Sequence, residues 1–173
     1  ALLNSIMNVI IEENLFNEEY IKKQTTGFNE LQKHLKNYPP ELMQDQTGID
    51  ADMIREVARL FAKTKKGIIF WGMGVSQHVH GTDNARCLIS LALMTGNVGR
   101  KGSGLHPLRG QNNVQGASDA GLIPMMYPDY QLVEKDEKKE FFESFWDTSL
   151  DEKKGLTVVE IMDAIHEKTI KGM

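Results

Sequence analysis

"GIIFWGMG", residues 67 to 74, decides how this chain is read. Four consecutive apolar residues, Ile68, Ile69, Phe70 and Trp71, stand between glycines. Such a short continuous run, β-branched and aromatic, is the pattern of a strand buried on both faces in a parallel sheet. A fragment of buried helix would carry the same run, because periodicity cannot separate the two at this length. Behind it, Gly72-Met73-Gly74-Val75-Ser76-Gln77 makes a glycine turn, and a helix is predicted from Thr82 onward. Strand, glycine turn and helix form a ligand-binding layout in open α/β sheets, where ligands sit beyond the carboxyl ends of the strands. The dinucleotide fingerprint requires glycine where Gln77 stands, so ordinary NAD binding is not supported. A tight turn with no ligand remains open on composition alone.

Outward from this strand the chain reads as helix on both sides. Leu3, Ile6, Met7 and Ile10 recur at helical spacing over residues 2 to 13. Asn29 with Gln32 opens a predicted helix over 29 to 37 that ends at Pro39-Pro40, and Asp50 caps another in which Ile54, Val57, Ala58 and Phe61 share a face. After the strand, Thr82 caps a helix bearing Ala85, Leu88, Ile89 and Ala92 until Gly96 stops it. Toward the carboxyl end, "EKDEKKEFFESFWDTS" (134 to 149) is an amphipathic helix with an aromatic face. Thr157 with Glu160 makes a capping box for a last helix carrying Val158, Ile161, Met162 and Ile165. The expected fold is α/β: a mostly helical, Rossmann-like unit with one buried strand (68 to 71) and an incomplete sheet. Its expected organisation is a helical segment (1 to 66), a strand, turn, helix and loop segment (67 to 130), and a second helical segment (131 to 173). Ala1 already lies inside an apolar-periodic segment, which suggests a piece of something longer.

Composition narrows the function classes. The 173 residues carry a formal net charge of −4, which gives no electrostatic case for wholesale nucleic-acid binding. No apolar run approaches the roughly 20 residues that cross a bilayer, and no signal peptide is visible. A soluble, cytoplasmic protein is the expectation. A single cysteine, Cys87, excludes an internal disulfide and a cysteine-based metal cluster within this chain, and its setting inside a helix reads as packing. His78 and His80 lack a third ligand, so no metal site is assigned.

From Gly96 to Gly121 the chain holds seven of its 15 glycines, and no regular element is expected there. From Asn84 to Ser118 there is no Asp or Glu, in a chain with 24 of them, while Arg86, Arg100, Lys101 and Arg109 all fall in that window. Glycine lets backbone N–H groups approach an anion, and arginine supplies bidentate donors, so the segment suits an anionic ligand. The alternative is a solvated loop in which Gln111, Asn112, Asn113 and Gln115 satisfy the loop's own backbone.

"WGMGVSQHVHGTDNARCLISLALMTGNVGRKGSGLHPLRGQNNVQGASDAG", residues 71 to 121, closely resembles the catalytic subunit of molybdenum- or tungsten-dependent formate dehydrogenases, in the molybdopterin oxidoreductase family. The resemblance extends upstream through "ALLNSIMNVIIEENLFNEEYIKKQTTGF" and downstream through "MMYPDYQ"; "RGQNNVQGASD" singles out the formate dehydrogenase branch. It implies formate oxidation to carbon dioxide at a bis(molybdopterin guanine dinucleotide) centre. By that resemblance Arg109 holds formate near the metal. Gly110, Gln111, Asn112, Asn113, Val114, Gln115 and Gly116 lie against the pterin, and Gly72, Met73, Gly74 and Gln77 contact the cofactor. The family ligates its metal through cysteine or selenocysteine followed by histidine, and holds a 4Fe-4S cluster nearer the amino terminus; neither pattern is in this sequence, so both are expected in the rest of the catalytic subunit. Formate, that remainder and electron-transfer subunits are the implied partners. Two alternatives stay open: another molybdopterin oxidoreductase, or a cofactor-cradling module with no activity of its own.

Overall fold

The computed structural model describes residues 1 to 173. It consists of two compact units, Ala1–Gly110 and Gln111–Met173.

The first unit begins with α1 (Leu2–Glu12), α2 (Glu18–Gln24), α3 (Phe28–Leu35), α4 (Pro40–Thr47) and α5 (Ala51–Lys63). Then come β1 (Ile68–Trp71), the single-turn α6 (Met73–Ser76), α7 (Gly81–Met94) and β2 (Gly104–Pro107). Helix α1 is the centre of packing, touching α3, α4, α5 and α7. Its Met7, Val9 and Ile10 are almost fully buried together with Leu35, Ile54, Ala58, Leu91 and Met94. Of the polar groups this enclosed helix buries, the Asn8 amide donates to the Leu35 carbonyl at 3.1 Å, while Asn8 Oδ1 and the Ser5 hydroxyl find no partner.

Most predicted helices form, with corrected starts. Gly27, left-handed at φ 79°, precedes α3, so Asn29 lies within its first turn. The proline pair then does two jobs: Pro39 is extended and Pro40 opens α4, a position where its missing N–H costs nothing. Asp50 stands at the start of α5 but makes no side-chain capping bond. Helix α7 starts at Gly81, one residue before Thr82. There a Cβ would lie 1.7 Å from the Ser76 carbonyl oxygen, so only glycine lets the helix begin so close to the preceding turn.

Strand β1 forms where the apolar run predicts it and pairs in parallel with β2, Ile68 opposite Gly104 through Trp71 opposite Pro107. Two expectations change here. The strand is not buried on both faces: Ile69 packs on the core, whereas Ile68 and Phe70 are 43% and 58% exposed, because β2 is its only partner strand and no layer covers that face. The stretch from Gly96 to Gly121 is not irregular throughout either, since β2 lies within it, as does α8 (Val114–Asp119). Backbone pairing supplies what the side chains of β2 do not advertise, and a local cap does the same for α8. Asn113 adopts a left-handed conformation (φ 54°), and its side chain accepts from the Gly116 N–H.

The second unit opens with α8 and continues through β3 (Met126–Tyr127), a 3-10 turn at Pro128–Tyr130 and β4 (Gln131–Leu132), antiparallel to β3. Helices α9 (Asp136–Trp146) and α10 (Val158–His166) complete it. The aromatic helix divides its face. Phe142 is buried against Tyr127, ring centroids 4.9 Å apart, and stacks on Trp146, while Phe141 and Phe145 stack on each other outside. The capping box forms as predicted: the Thr157 side chain accepts from the Glu160 N–H, and the Glu160 carboxylate accepts from the Thr157 N–H at 2.7 Å.

Candidate functional site

The glycine turn stands at the carboxyl end of the parallel pair. Gly72 leaves β1 in an extended conformation, and its carbonyl accepts from the Val75 N–H at 3.1 Å, winding Met73–Ser76 into one helical turn. Three contacts outside that turn fix it. The Leu108 N–H donates to the Trp71 carbonyl at 2.7 Å, extending the strand pairing by one rung. Asn84, on α7, donates its side-chain amide to the Val75 carbonyl at 3.0 Å. His78 Nε2 hydrogen-bonds to the Gly74 carbonyl at 2.6 Å.

Because β1 and β2 run parallel, their exits lie side by side, and Leu108-Arg109-Gly110 emerges next to Gly72-Met73-Gly74. A Cβ on Gly72 would sit 3.8 Å from the Leu108 carbonyl oxygen, and one on Gly110 would sit 2.6 Å from Met73 Cε. Gly72, Met73, Gly74, Arg109 and Gly110 are thus gathered at one strand end. Arg109 is exposed, and no ion pair or side-chain hydrogen bond engages its guanidinium. The acid just before the carboxylate-free window, Asp83, is engaged by Arg86 at 3.2 Å. A free, permanently charged fork with no competing carboxylate is chemically suited to a small carboxylate or a phosphate oxyanion.

Gln111 to Gly116 follow directly in the chain as the start of the second unit. Gln111, Asn112 and Gln115 are exposed. Asn113 differs, since its amide oxygen is committed to the Gly116 N–H at 3.2 Å and occupies the space a Cβ on Gly116 would need. Gln77 closes the α6 turn by donating its N–H to the Met73 carbonyl at 2.7 Å.

Two asparagines that hold the two ends of β1 escaped the sequence reading. Asn84 is one. The other is Asn97, fully buried, whose side-chain oxygen accepts from the Gly67 N–H at 3.0 Å while its amide donates to Thr95 Oγ1 at 2.9 Å. It ties the entry of β1 to the end of α7. Its only sequence signal is its position just after Gly96, left-handed at φ 67°, which ends the helix. Cys87 is half-buried and donates to Asn4 Oδ1 at 3.3 Å; burial pushes its thiol pKa up, away from the reactive thiolate. The structure brings no three His, Cys, Asp or Glu side chains together as a metal-binding group.

The fold and site therefore define an α/β protein with an oxyanion-suited glycine turn at the carboxyl end of a parallel strand pair. The model of the molybdopterin oxidoreductase family matches residues 1–173, and the chain belongs to that family. It is 45% identical over 163 residues to the F420-dependent formate dehydrogenase subunit alpha of Methanocaldococcus jannaschii, a match covering 94% of this chain and 24% of that protein. It is 47% identical over 146 residues to formate dehydrogenase H of Escherichia coli, covering 84% of this chain and 20% of that one. Among solved structures, acetylene hydratase from Pelobacter acetylenicus superposes with a TM-score of 0.56 at 28% identity, over 58% of this chain and 14% of that chain. The chain thus spans about a quarter or less of these relatives' length. Membership of that family implies a molybdopterin cofactor with molybdenum or tungsten. No helix is long and apolar enough to cross a membrane.

Proposed function

We propose that the chain is an internal segment of a formate dehydrogenase catalytic subunit, oxidising formate to carbon dioxide, and that within it this segment orients formate and holds part of the cofactor. We assign that cofactor as bis(molybdopterin guanine dinucleotide). A 4Fe-4S cluster elsewhere in the subunit and separate electron-transfer subunits complete the reading. The observation that carries it is Arg109: an exposed, unpaired guanidinium at the strand end, in a stretch without carboxylates, within a chain 45% identical to a formate dehydrogenase alpha subunit.

The residues present fit such a group. Gly72 leaves the strand end open to a close backbone approach, whereas at Gly110 Met73 already fills the space that a larger residue would take. Gln111, Asn112 and Gln115 offer exposed amides able both to donate and to accept, which suits a pterin edge. Asn113 serves differently, shaping the loop through its bond to Gly116. When bound, the metal centre supplies the two-electron redox chemistry. Arg109 receives the formate carboxylate in fork geometry and fixes the direction in which its C–H bond points. Since guanidinium does not lose its proton at physiological pH, it holds that geometry while negative charge leaves the substrate. The free amides bind and orient the cofactor.

The test is formate-dependent reduction of an artificial dye by the metal-loaded full-length protein. Turnover is expected. None at full metal content would overturn formate as substrate and leave another reaction of the same family.

A further inference from the structure

The other end of the strand pair also has a character of its own. Three segments meet where β1 and β2 begin: residues 15 to 17 after α1, residues 62 to 65 leading into β1, and the turn from Thr95 to Arg100 leading into β2. Between them is an open cleft of about 300 Å³, with Phe16 on one wall and Lys63, Thr64, Lys65 and Arg100 around it. Its lining contains no carboxylate. Two acids beside it are engaged elsewhere: Glu13 is gripped by Arg59 through both carboxylate oxygens, at 2.7 and 2.9 Å, and Glu18 pairs with Lys22 at 2.7 Å. Lys63 lies near enough to Glu13 to help lower its pKa, yet the closer guanidinium of Arg59 holds that carboxylate. Lys66 and Lys101 adjoin the cleft in sequence and add to the local charge of a chain whose net charge is −4.

Arg100 is held in place before any ligand arrives. One of its guanidinium nitrogens donates both to the Lys65 carbonyl at 3.3 Å and to the buried Asn97 side chain at 3.1 Å. These bonds leave its remaining N–H groups free, and the same Asn97 fixes the start of β1. We propose that this cleft is a second anion site, distinct from the glycine turn, which takes a small multivalent oxyanion carrying a pyrophosphate group.

Multivalency follows from exposure. A single solvent-exposed ion contact is worth no more than about 1 kcal/mol, so occupancy needs several cations acting on one ligand. The size argues for a small molecule, since about 300 Å³ is the low end of ligand pockets. Separation from the glycine turn follows from topology: four strand residues at about 3.3 Å each put roughly 13 Å of strand between them. The site belongs to the first unit alone and does not depend on the reaction catalysed.

The probe is inorganic pyrophosphate, titrated calorimetrically into the holoenzyme, with lysine acetylation footprinting read by mass spectrometry in parallel. Saturable binding is expected, with Lys63 and Lys65 protected from acetylation while Lys138 and Lys153 still react. The combined variant Lys63→Gln, Lys65→Gln, Arg100→Gln is expected to bind about tenfold more weakly or worse, at a few-fold per exposed contact. A nucleoside diphosphate run alongside tells whether the anion comes alone or on a nucleoside; either ligand giving that footprint supports the site. No saturable binding, no protection of Lys63 and Lys65, or unchanged affinity in the variant overturns it. The wild-type footprint decides the matter if the variant fails to fold.

Discussion

Replacing Arg109 separates substrate recognition from fold, because the structure gives this side chain no structural task. It is exposed and unpaired, so Arg109→Ala is expected to change the unfolding free energy by less than about 0.5 kcal/mol, the usual range for a surface position without special contacts. Whatever the substitution removes must then register in kinetics. A hydrogen bond to a charged partner is worth about 1.5 to 3 kcal/mol, or roughly ten- to a hundredfold in kcat/KM. Arg109→Lys keeps the charge and loses the fork, so it should fall by one such bond. Arg109→Ala loses the charge as well and should fall further. No carboxylate lies between Asn84 and Ser118 to recapture the lysine in an internal ion pair. The assay is formate-dependent dye reduction by full-length enzyme at matched metal content, with thermal midpoints measured on the same preparations. Near-normal kcat/KM for Arg109→Ala at full metal content would refute the substrate role. A lowered midpoint with unchanged kinetics would make the arginine structural and the reasoning from its exposure wrong.

Other residues carry sharper stability expectations. Asn97→Ala strands the buried Gly67 N–H and should cost roughly 1 to 3 kcal/mol, seen as a lower denaturation midpoint, with β1 losing amide-exchange protection first. Gly81→Ala forces a Cβ to within 1.7 Å of the Ser76 carbonyl oxygen and should disrupt the glycine turn, read as loss of cofactor content on purification; Gly110→Ala meets only the flexible end of Met73 and should be milder. Tyr127→Phe removes a buried hydroxyl that has no partner, so stability should stay level or rise slightly, and a large fall in the midpoint would show that the hydroxyl is engaged. The Thr157 N–H, and after it the Thr157 hydroxyl, holds the Glu160 pKa below its ordinary value of 4.5. A depressed folded pKa adds stability above the unfolded value and loses it as pH falls through the folded one, so α10 should exchange its amides faster in acid, and Glu160→Gln should flatten that dependence.

What the sequence made legible divides along a physical line. Elements whose stability comes from side-chain burial were readable, because burial imposes a period. The Leu3, Ile6, Met7, Ile10 spacing of α1 and the Ile54, Ala58 pair of α5 describe surfaces that pack together in the core. The capping box at Thr157 was readable for a related reason, since its bonds run between residues three apart in sequence. Strand β2 was not. Gly104-Leu105-His106-Pro107 has no strand-like composition, and it is a strand because β1 lies beside it, a fact that depends on a neighbour more than thirty residues away. Helix α8 hid for the opposite reason, its start being set by one backbone angle at Asn113. For the candidate site, the carboxylate-free window marked an anion-suited stretch holding Arg86, Arg100, Lys101 and Arg109, and only the family resemblance singled out Arg109 among them. Hidden were the supports, Asn84 and Asn97, since each acts through backbone carbonyls or N–H groups that no side-chain pattern records. The same division explains the exposed face of β1. An apolar run with no alternation is written for cover on both sides, whereas here β2 is the only partner strand, so Ile68 and Phe70 stay exposed while Ile69 packs on the core.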